Sequence, residues 1–106
     1  MGDTNITPSL LDHTLPASAS PTWLSPGEYP CSTKIERESW SRDVTGDWLV
    51  DTFRYLFPRA MNVVTWTPDI VSRLKNEGLR IDQIYCSTEL LRFLRGSNIY
   101  DSAYGV

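Results

Sequence analysis

The sequence has 106 residues, a mass of 12.1 kDa and a formal net charge of −3, which suits one small domain near the lower size limit for a self-sufficient core. No apolar run approaches the roughly 18 residues of a membrane-spanning helix, and no secretory leader pattern is present. Cys31 and Cys86 are too few for a disulfide scaffold or a zinc site. These features predict a soluble protein with free thiols in a reducing intracellular compartment.

Charge and proline are unevenly distributed along the chain. The first 33 residues contain five of the seven prolines and no Lys or Arg, whereas the remainder carries ten basic and ten acidic residues. This pattern predicts an extended, acidic, Pro/Ser/Thr-rich arm over residues 1–33 and a small body over residues 34–106. Neither part has the basic surplus that offsets phosphate charge, so nucleic acid is not an expected partner.

The first part of the body contains one ambiguous segment and one predicted helix. Residues 34–45 mix charged and apolar residues and fit either a short helix or a charged connector. The stretch "TGDWLVDTFRYLF" predicts a helix with Thr45 as its N-cap, Asp47 at the positive end of its dipole and Pro58 as its stop.

A strand and a second helix are predicted next. Met61–Trp66 is short and rich in β-branched and aromatic residues, which favours a strand. Thr67 is then expected to cap a helix that ends at Gly78. Its predicted buried face consists of Ile70, Val71 and Leu74.

The stretch "RIDQIYC" predicts another strand, and Ser87 or Thr88 is expected to cap a last helix that ends at Gly96. Residues 61–96 thus follow a β-α-β-α order, which predicts two parallel strands that need a third from elsewhere. The predicted fold is a small single α+β domain with two to three short helices on a minimal sheet. A mainly helical fold is the alternative.

Few residues offer catalytic chemistry. His13 lies in the proline-rich arm and is expected to be a solvated bystander, so histidine-dependent nucleophilic catalysis is not predicted. Asp47 and Asp51 lie four apart, which fits a solvated helix face better than an acid–base pair. Glycine loops for phosphates and clusters of metal ligands are missing. No catalytic residue, metal or cofactor is predicted.

Aromatic residues in flanking segments are the remaining signal. Trp and Tyr are enriched at interface hot spots, and they occur here among Pro, Ser and Gly, where a compact core is not expected. Two arginines on the polar face of the last helix could meet an acidic partner. The predicted partner-binding residues are Trp23, Leu24, Tyr29, Tyr100, Tyr104, Arg92 and Arg95.

The sequence therefore predicts a non-enzymatic interaction or structural protein that docks onto another protein chain through its arm. A small subunit of a larger assembly and a viral protein that binds a host protein both fit this hypothesis. The alternative is a small hydrolase or transferase that uses Asp47, Asp51 or Ser87 in a site completed by oligomerisation. Phosphorylation at Ser20 or Ser25, each followed by proline, is a further hypothesis.

Overall fold

The computed structural model describes residues 2–97 of the chain. These residues form a small α+β domain, as predicted, with short helices and two-stranded sheets. The strands are β1 (Gly2–Asp3), β2 (Leu49–Asp51), β3 (Asp82–Gln83) and β4 (Tyr85–Ser87). The α-helices are α1 (Lys34–Ser39), α2 (Thr52–Leu56) and α3 (Ile70–Leu74).

The chain also contains short 3-10 and π-helical segments. Turns of 3-10 helix span Leu10–Asp12, Ala17–Ala19 and Thr88–Phe93, and a π-helical segment spans Trp40–Thr45 directly after α1. Within residues 2–97, no helix combines the length and apolar character needed to cross a membrane.

Both sheets are antiparallel, so the prediction of parallel strands is wrong. β1 pairs with β3, and β2 pairs with β4. The predicted strand Met61–Trp66 is absent except for one bridge between Trp66 and Leu79. Asn62 lies at a φ of +59°, which interrupts an extended conformation in this segment.

The segment predicted to be helical from Thr45 onward is divided. Its middle becomes β2, which pairs with β4 from Leu49 opposite Ser87 to Asp51 opposite Tyr85. Asp51 then caps α2, since its side chain accepts a hydrogen bond from the Arg54 amide. Long-range strand pairing overrides the local helical periodicity here.

The helix predicted after Thr67 exists but is shorter and differently placed. Its N-cap is Asp69, whose carboxylate accepts a 2.8 Å hydrogen bond from the Ser72 amide. The apolar face is not buried, since Leu74 is 81% exposed and Ile70 and Val71 are also exposed. The prediction of a buried helix face is therefore wrong within the described residues.

The N-terminal segment contributes to the core. Leu15 packs with Leu79 and Ile81 in the main buried cluster, and Tyr29 and Cys31 pack against it. Backbone hydrogen bonds also join Thr4 to Ile81 and Thr14 to Gly78. Regular structure in this segment consists of β1 and two short 3-10 turns, in keeping with its many prolines. The boundary at residue 33 stays a prediction.

Candidate active site

Two carboxylates face each other across the β1–β3 ladder. Asp3 is the direct register partner of Asp82, and directly opposite residues on an antiparallel pair project to the same face. The ladder is held by a 2.9 Å hydrogen bond from the Thr4 amide to the Ile81 carbonyl oxygen. The Thr4 hydroxyl adds a 2.7 Å hydrogen bond to the Gln83 side-chain oxygen. Asp3 is exposed and Asp82 is half-buried.

Asn5 lies beside this pair because the chain turns sharply after β1. Its φ is +53°, a left-handed conformation that asparagine adopts more readily than most residues. Its backbone amide donates a 2.9 Å hydrogen bond to Oδ1 of Asp3, which fixes the orientation of that carboxylate. We refer to Asp3, Asn5 and Asp82 together as the carboxylate edge.

A cavity of about 350 Å³ opens at the carboxylate edge. One side of it is polar, because Asp3 and Asn5 line it, and the other is apolar and aromatic. The rings of Tyr29 and Trp66 pack against each other with centroids 5.8 Å apart, and Trp66 remains 37% exposed. We refer to this cavity as the edge pocket. Its lining is Asp3, Asn5, Tyr29, Pro30, Cys31, Trp66, Leu79 and Ile81.

The thiol of Cys31 in the edge pocket is a weak nucleophile. Burial raises its pKa, and the negative charges of Glu36 and Asp3 raise it further. A thiol with a raised pKa is a poor nucleophile, because the thiolate is the reactive form. Cys31 is therefore a wall of the pocket and not its reactive group.

The facing carboxylates carry an electrostatic cost. Like charges directly opposite each other on paired strands destabilise the sheet. Within residues 2–97, no Lys, Arg or His forms an ion pair with Asp3 or Asp82. Asp3 lines the open cavity and Asp82 lies opposite it on the paired strand, and an arrangement that costs stability in this way is typical of a functional site.

Asp12 and Asp51 are paired with arginines in a buried ionic network. The guanidinium of Arg80 is fully buried, donates to Asp12 through Nε at 2.7 Å, and also donates to Asp51. Arg54 also binds Oδ1 of Asp12, and the Arg80 guanidinium lies 5.1 Å from the ring centroid of Phe53. Burial acts to lower the pKa of Arg80, but the hydrogen bonds and charges of Asp51 and Asp12 raise it overall. This network is structural.

The chain's one histidine is partly buried and hydrogen-bonded, which corrects the prediction of a solvated bystander. His13 is half-buried, and its Nδ1 lies 2.6 Å from Oγ of Ser32. Burial and the positive charge of Arg37 lower its pKa. Arg37 also donates a 2.7 Å hydrogen bond to the Ser32 carbonyl oxygen. Because Ser32 is only 1% exposed, this Ser–His pair is closed to a substrate.

The residues considered for the hydrolase alternative do not form a site. Asp51 belongs to the buried ionic network, Asp47 is exposed, and Ser87 is half-buried in β4. The acidic pair is split, since Asp51 ends a strand instead of continuing a helix from Asp47.

The predicted partner-binding residues are scattered. Tyr29 lines the edge pocket, whereas Trp23 is 73% exposed and Leu24 is half-buried. Arg92 and Arg95 are exposed, and the Arg92 guanidinium lies over the Phe93 ring. Tyr100 and Tyr104 lie outside the described residues. A docking role for these residues stays a prediction.

Sequence reasoning missed the whole carboxylate edge, although two signals were present. Asp82 is a charged residue within an otherwise largely apolar strand stretch, "LRIDQIYC". Asp3 and Asn5 are two positions apart, and both Asp and Asn are residue types that favour turns. Neither signal reveals that residues 79 positions apart pair in register, because that depends on the folded chain.

Comparison with known proteins points to an enzyme class. No family model matches the sequence. Exodeoxyribonuclease III of Haemophilus influenzae is 38% identical to the chain over 92 residues, which cover 85% of this chain and 33% of that protein. The chain thus spans about a third of the length of this relative.

This similarity overturns the sequence-based interpretation of function. The relative is named as a nuclease, so a non-enzymatic structural, viral or small-subunit protein is the wrong prediction. The expectation that nucleic acid is an unlikely partner is wrong for the same reason. Net charge is a weak basis for such a prediction, because it averages over the surface, whereas nucleic-acid binding depends on local groups.

Proposed function

We propose that the protein hydrolyses phosphodiester bonds of DNA and that the carboxylate edge is part of its reaction centre. The observation that carries the proposal is the in-register pair of Asp3 and Asp82, without an ion-pair partner among residues 2–97, beside the edge pocket. The similarity to an exodeoxyribonuclease supports this chemistry over other hydrolytic reactions.

The carboxylate edge fits a hard divalent cation such as Mg²⁺. Residues 2–97 contain no group of three or more His, Cys, Asp and Glu side chains that could enclose a metal ion. Mg²⁺ does not need one, since it is usually held by one or two carboxylates, substrate phosphates and water. Asp3 and Asp82 would be the carboxylate ligands, and Asn5 lines the same pocket as Asp3. A bound cation would supply charge that neutralises the phosphodiester oxygens.

The residues of the edge have distinct roles in this reaction. Hydrolysis joins a water oxygen to phosphorus and breaks the bond between phosphorus and one sugar oxygen; the water loses a proton, and the departing sugar oxygen gains one to become a hydroxyl. A carboxylate within reach of the water can accept or orient that proton. The hydrogen bond from the Asn5 backbone amide keeps the Asp3 carboxylate in place. Trp66 offers a flat apolar face on which a nucleotide base can stack.

The proposal is tested by DNA hydrolysis with end-labelled single- and double-stranded oligonucleotides in the presence of Mg²⁺. The wild-type chain is expected to release nucleotides, and the isosteric change Asp82→Asn is expected to lower the rate by about 100-fold or more, by analogy with other lost charge-stabilising groups. Asp47→Asn is the matched control, because Asp47 is exposed, lies outside the β1–β3 ladder and does not line the edge pocket. Equal rates for Asp82→Asn and Asp47→Asn would contradict the proposal.

We also propose that the protein acts in a reducing intracellular compartment. Cys31 and Cys86 are both free thiols, and disulfides form mainly in oxidising environments. Thiol labelling of the protein in intact producing cells should find both cysteines reduced.

A further inference from the structure

Gln83 is a buried polar residue directly behind the carboxylate edge. It follows Asp82 in β3 and is only 3% exposed. Successive residues of a strand project to opposite faces, so the Gln83 side chain lies on the face of β3 opposite to the Asp82 carboxylate. Any effect of Gln83 on a ligand of the carboxylate edge therefore acts through the position of the strands and not through contact with the ligand.

The side-chain amide of Gln83 is fully hydrogen-bonded. Its oxygen accepts a 2.7 Å hydrogen bond from the Thr4 hydroxyl and a 3.4 Å hydrogen bond from the Tyr85 hydroxyl. Its nitrogen donates to the carbonyl oxygens of Ile6 and Arg80, at 2.9 Å and 3.0 Å. The two carbonyl oxygens fix the orientation of the amide, since they can only accept hydrogen bonds. We refer to Gln83 and Thr4 together as the amide clamp.

The amide clamp supports a strand that is weak by itself. β1 has two residues and forms a two-stranded sheet with β3, and a pair this short is marginally stable alone. Repulsion between the facing carboxylates also acts to separate the two strands. The amide of Gln83 binds Thr4 and Ile6, which flank Asn5, so it holds both sides of the turn that orients the Asp3 carboxylate.

We propose that Gln83 is a positioning residue of the carboxylate edge, which keeps Asp3 and Asp82 close enough to bind one Mg²⁺ ion together. This inference rests on the proposed function. Mg²⁺ demands near-ideal octahedral geometry, so its affinity depends on how well its ligands are held. Substitution of residues that support metal ligands typically costs about 10–100-fold in metal affinity or activity.

The test measures Mg²⁺ binding to the purified chain by titration calorimetry, without DNA. Gln83→Met keeps the approximate size of the side chain and removes its amide, and it is expected to weaken Mg²⁺ binding about ten-fold. Thr14→Val is the control, because the Thr14 hydroxyl also joins the N-terminal segment to the rest of the fold but lies outside the β1–β3 ladder and the lining of the edge pocket. It is expected to bind Mg²⁺ as the wild type does. Equal affinities for Gln83→Met and Thr14→Val would overturn the inference.

A milder variant tests the same clamp if Gln83→Met does not fold. Thr4→Val removes one hydroxyl and leaves the other three hydrogen bonds of the Gln83 amide in place. Thr4→Val and Thr14→Val are the same chemical change at two half-buried threonines, so a general loss of stability affects both. Weaker Mg²⁺ binding by Thr4→Val alone would support the clamp, and equal binding by the two variants would overturn it.

Oligonucleotide hydrolysis separates this inference from the proposed function. Gln83→Met should need about ten-fold more Mg²⁺ for half of its maximal rate and should approach the wild-type rate at saturating Mg²⁺, because Gln83 does not touch the substrate. A wild-type chain that binds Mg²⁺ but leaves DNA intact would overturn the proposed function, while weaker Mg²⁺ binding by Gln83→Met would still support the clamp. A wild-type chain that binds no Mg²⁺ would overturn both proposals.

Discussion

The carboxylate edge and the buried ionic network share two stretches of chain, although the network also includes Asp51 and Arg54, and the two clusters differ in how their charges are compensated. Asp12 and Arg80 are fully buried and joined by charge-assisted hydrogen bonds. Asp3 and Asp82, which belong to the same two stretches, face each other without an ion-pair partner among residues 2–97. The network joins the N-terminal segment to the rest of the fold, and the edge leaves negative charge next to a cavity.

This contrast separates acidic residues that stabilise the fold from acidic residues that are available to a ligand. A buried carboxylate that is paired on both sides is needed for folding, since an unpaired buried charge is costly. A pair of unneutralised carboxylates opposite each other costs stability, and a ligand could offset that cost. The predictions below test this division by changing one region at a time.

The largest effect is expected from Asp12→Asn. This change removes the charge that pairs with Arg80 and Arg54, and it leaves the buried Arg80 guanidinium with reduced compensation. Breaking a buried pair in this way costs about 3–5 kcal/mol, a large part of the roughly 5–15 kcal/mol stability of a typical domain. Urea denaturation should show the loss, with Asp47→Asn within about 0.5 kcal/mol of wild type. A wild-type midpoint for Asp12→Asn would contradict a structural role for the network.

Gly78→Ala should have the next largest effect, because the added Cβ would collide with the Trp66 carbonyl oxygen and the Thr67 side chain. Overpacking of this kind costs about 1–3 kcal/mol. Gly96→Ala is the matched control, since nothing lies within 4 Å of a Cβ there. Trp66 fluorescence cannot be isolated among four tryptophans, so denaturation midpoints and oligonucleotide affinity are the readouts. Equal stability of the two variants would show that Trp66 is not held by this contact.

A smaller effect of opposite sign is expected from Asp82→Asn. Removing one of two facing charges relieves repulsion in the β1–β3 ladder and should stabilise the protein by about 0.2–1 kcal/mol without metal. Denaturation in EDTA measures this change. Added Mg²⁺ should stabilise the wild type and leave Asp82→Asn unaffected. A clear loss of stability in EDTA would place Asp82 with the structural residues instead.

The smallest effect concerns pH and His13. Burial and Arg37 lower its pKa in the folded protein below the ordinary value of 6.5, so the unfolded chain binds a proton more readily. The resulting stability is present above pH 6.5 and is lost as the pH falls through the folded pKa. The denaturation midpoint of wild type should therefore fall more steeply below pH 6.5 than that of His13→Gln. Parallel pH curves for both proteins would contradict this account of His13.

The sequence predicted the fold class because local signals for strands and turns are strong in this chain. The strand stretch around Asp82 and the helix near Ile70 both exist. The sequence did not reveal that the apolar face of this helix is exposed, since periodicity indicates an apolar face but not what covers it. The helix predicted from Thr45 gave way to β2, because pairing with β4 is a long-range interaction.

The candidate site was less predictable than the fold. Prolines correctly indicated little helix in the N-terminal segment, but they also led to its interpretation as an arm for partners. Its roles in the fold come from distant contacts, such as Leu15 against Leu79 and Asp12 with Arg80. The carboxylate edge likewise depends on residues that are far apart in sequence. A local pattern carries no information on such pairings.

The central claim, that the carboxylate edge and not the buried ionic network is the ligand-binding charge cluster, is tested most directly by Mn²⁺ titration in a ¹H–¹⁵N NMR spectrum. Paramagnetic Mn²⁺ prefers the same oxygen ligands as Mg²⁺ and broadens nearby amide signals. At low Mn²⁺ we expect selective broadening of residues 2–5 and 81–83 in the wild type, and none of it in Asp82→Asn. Unselective broadening, or broadening centred on Asp51 or another acidic residue, would contradict the account.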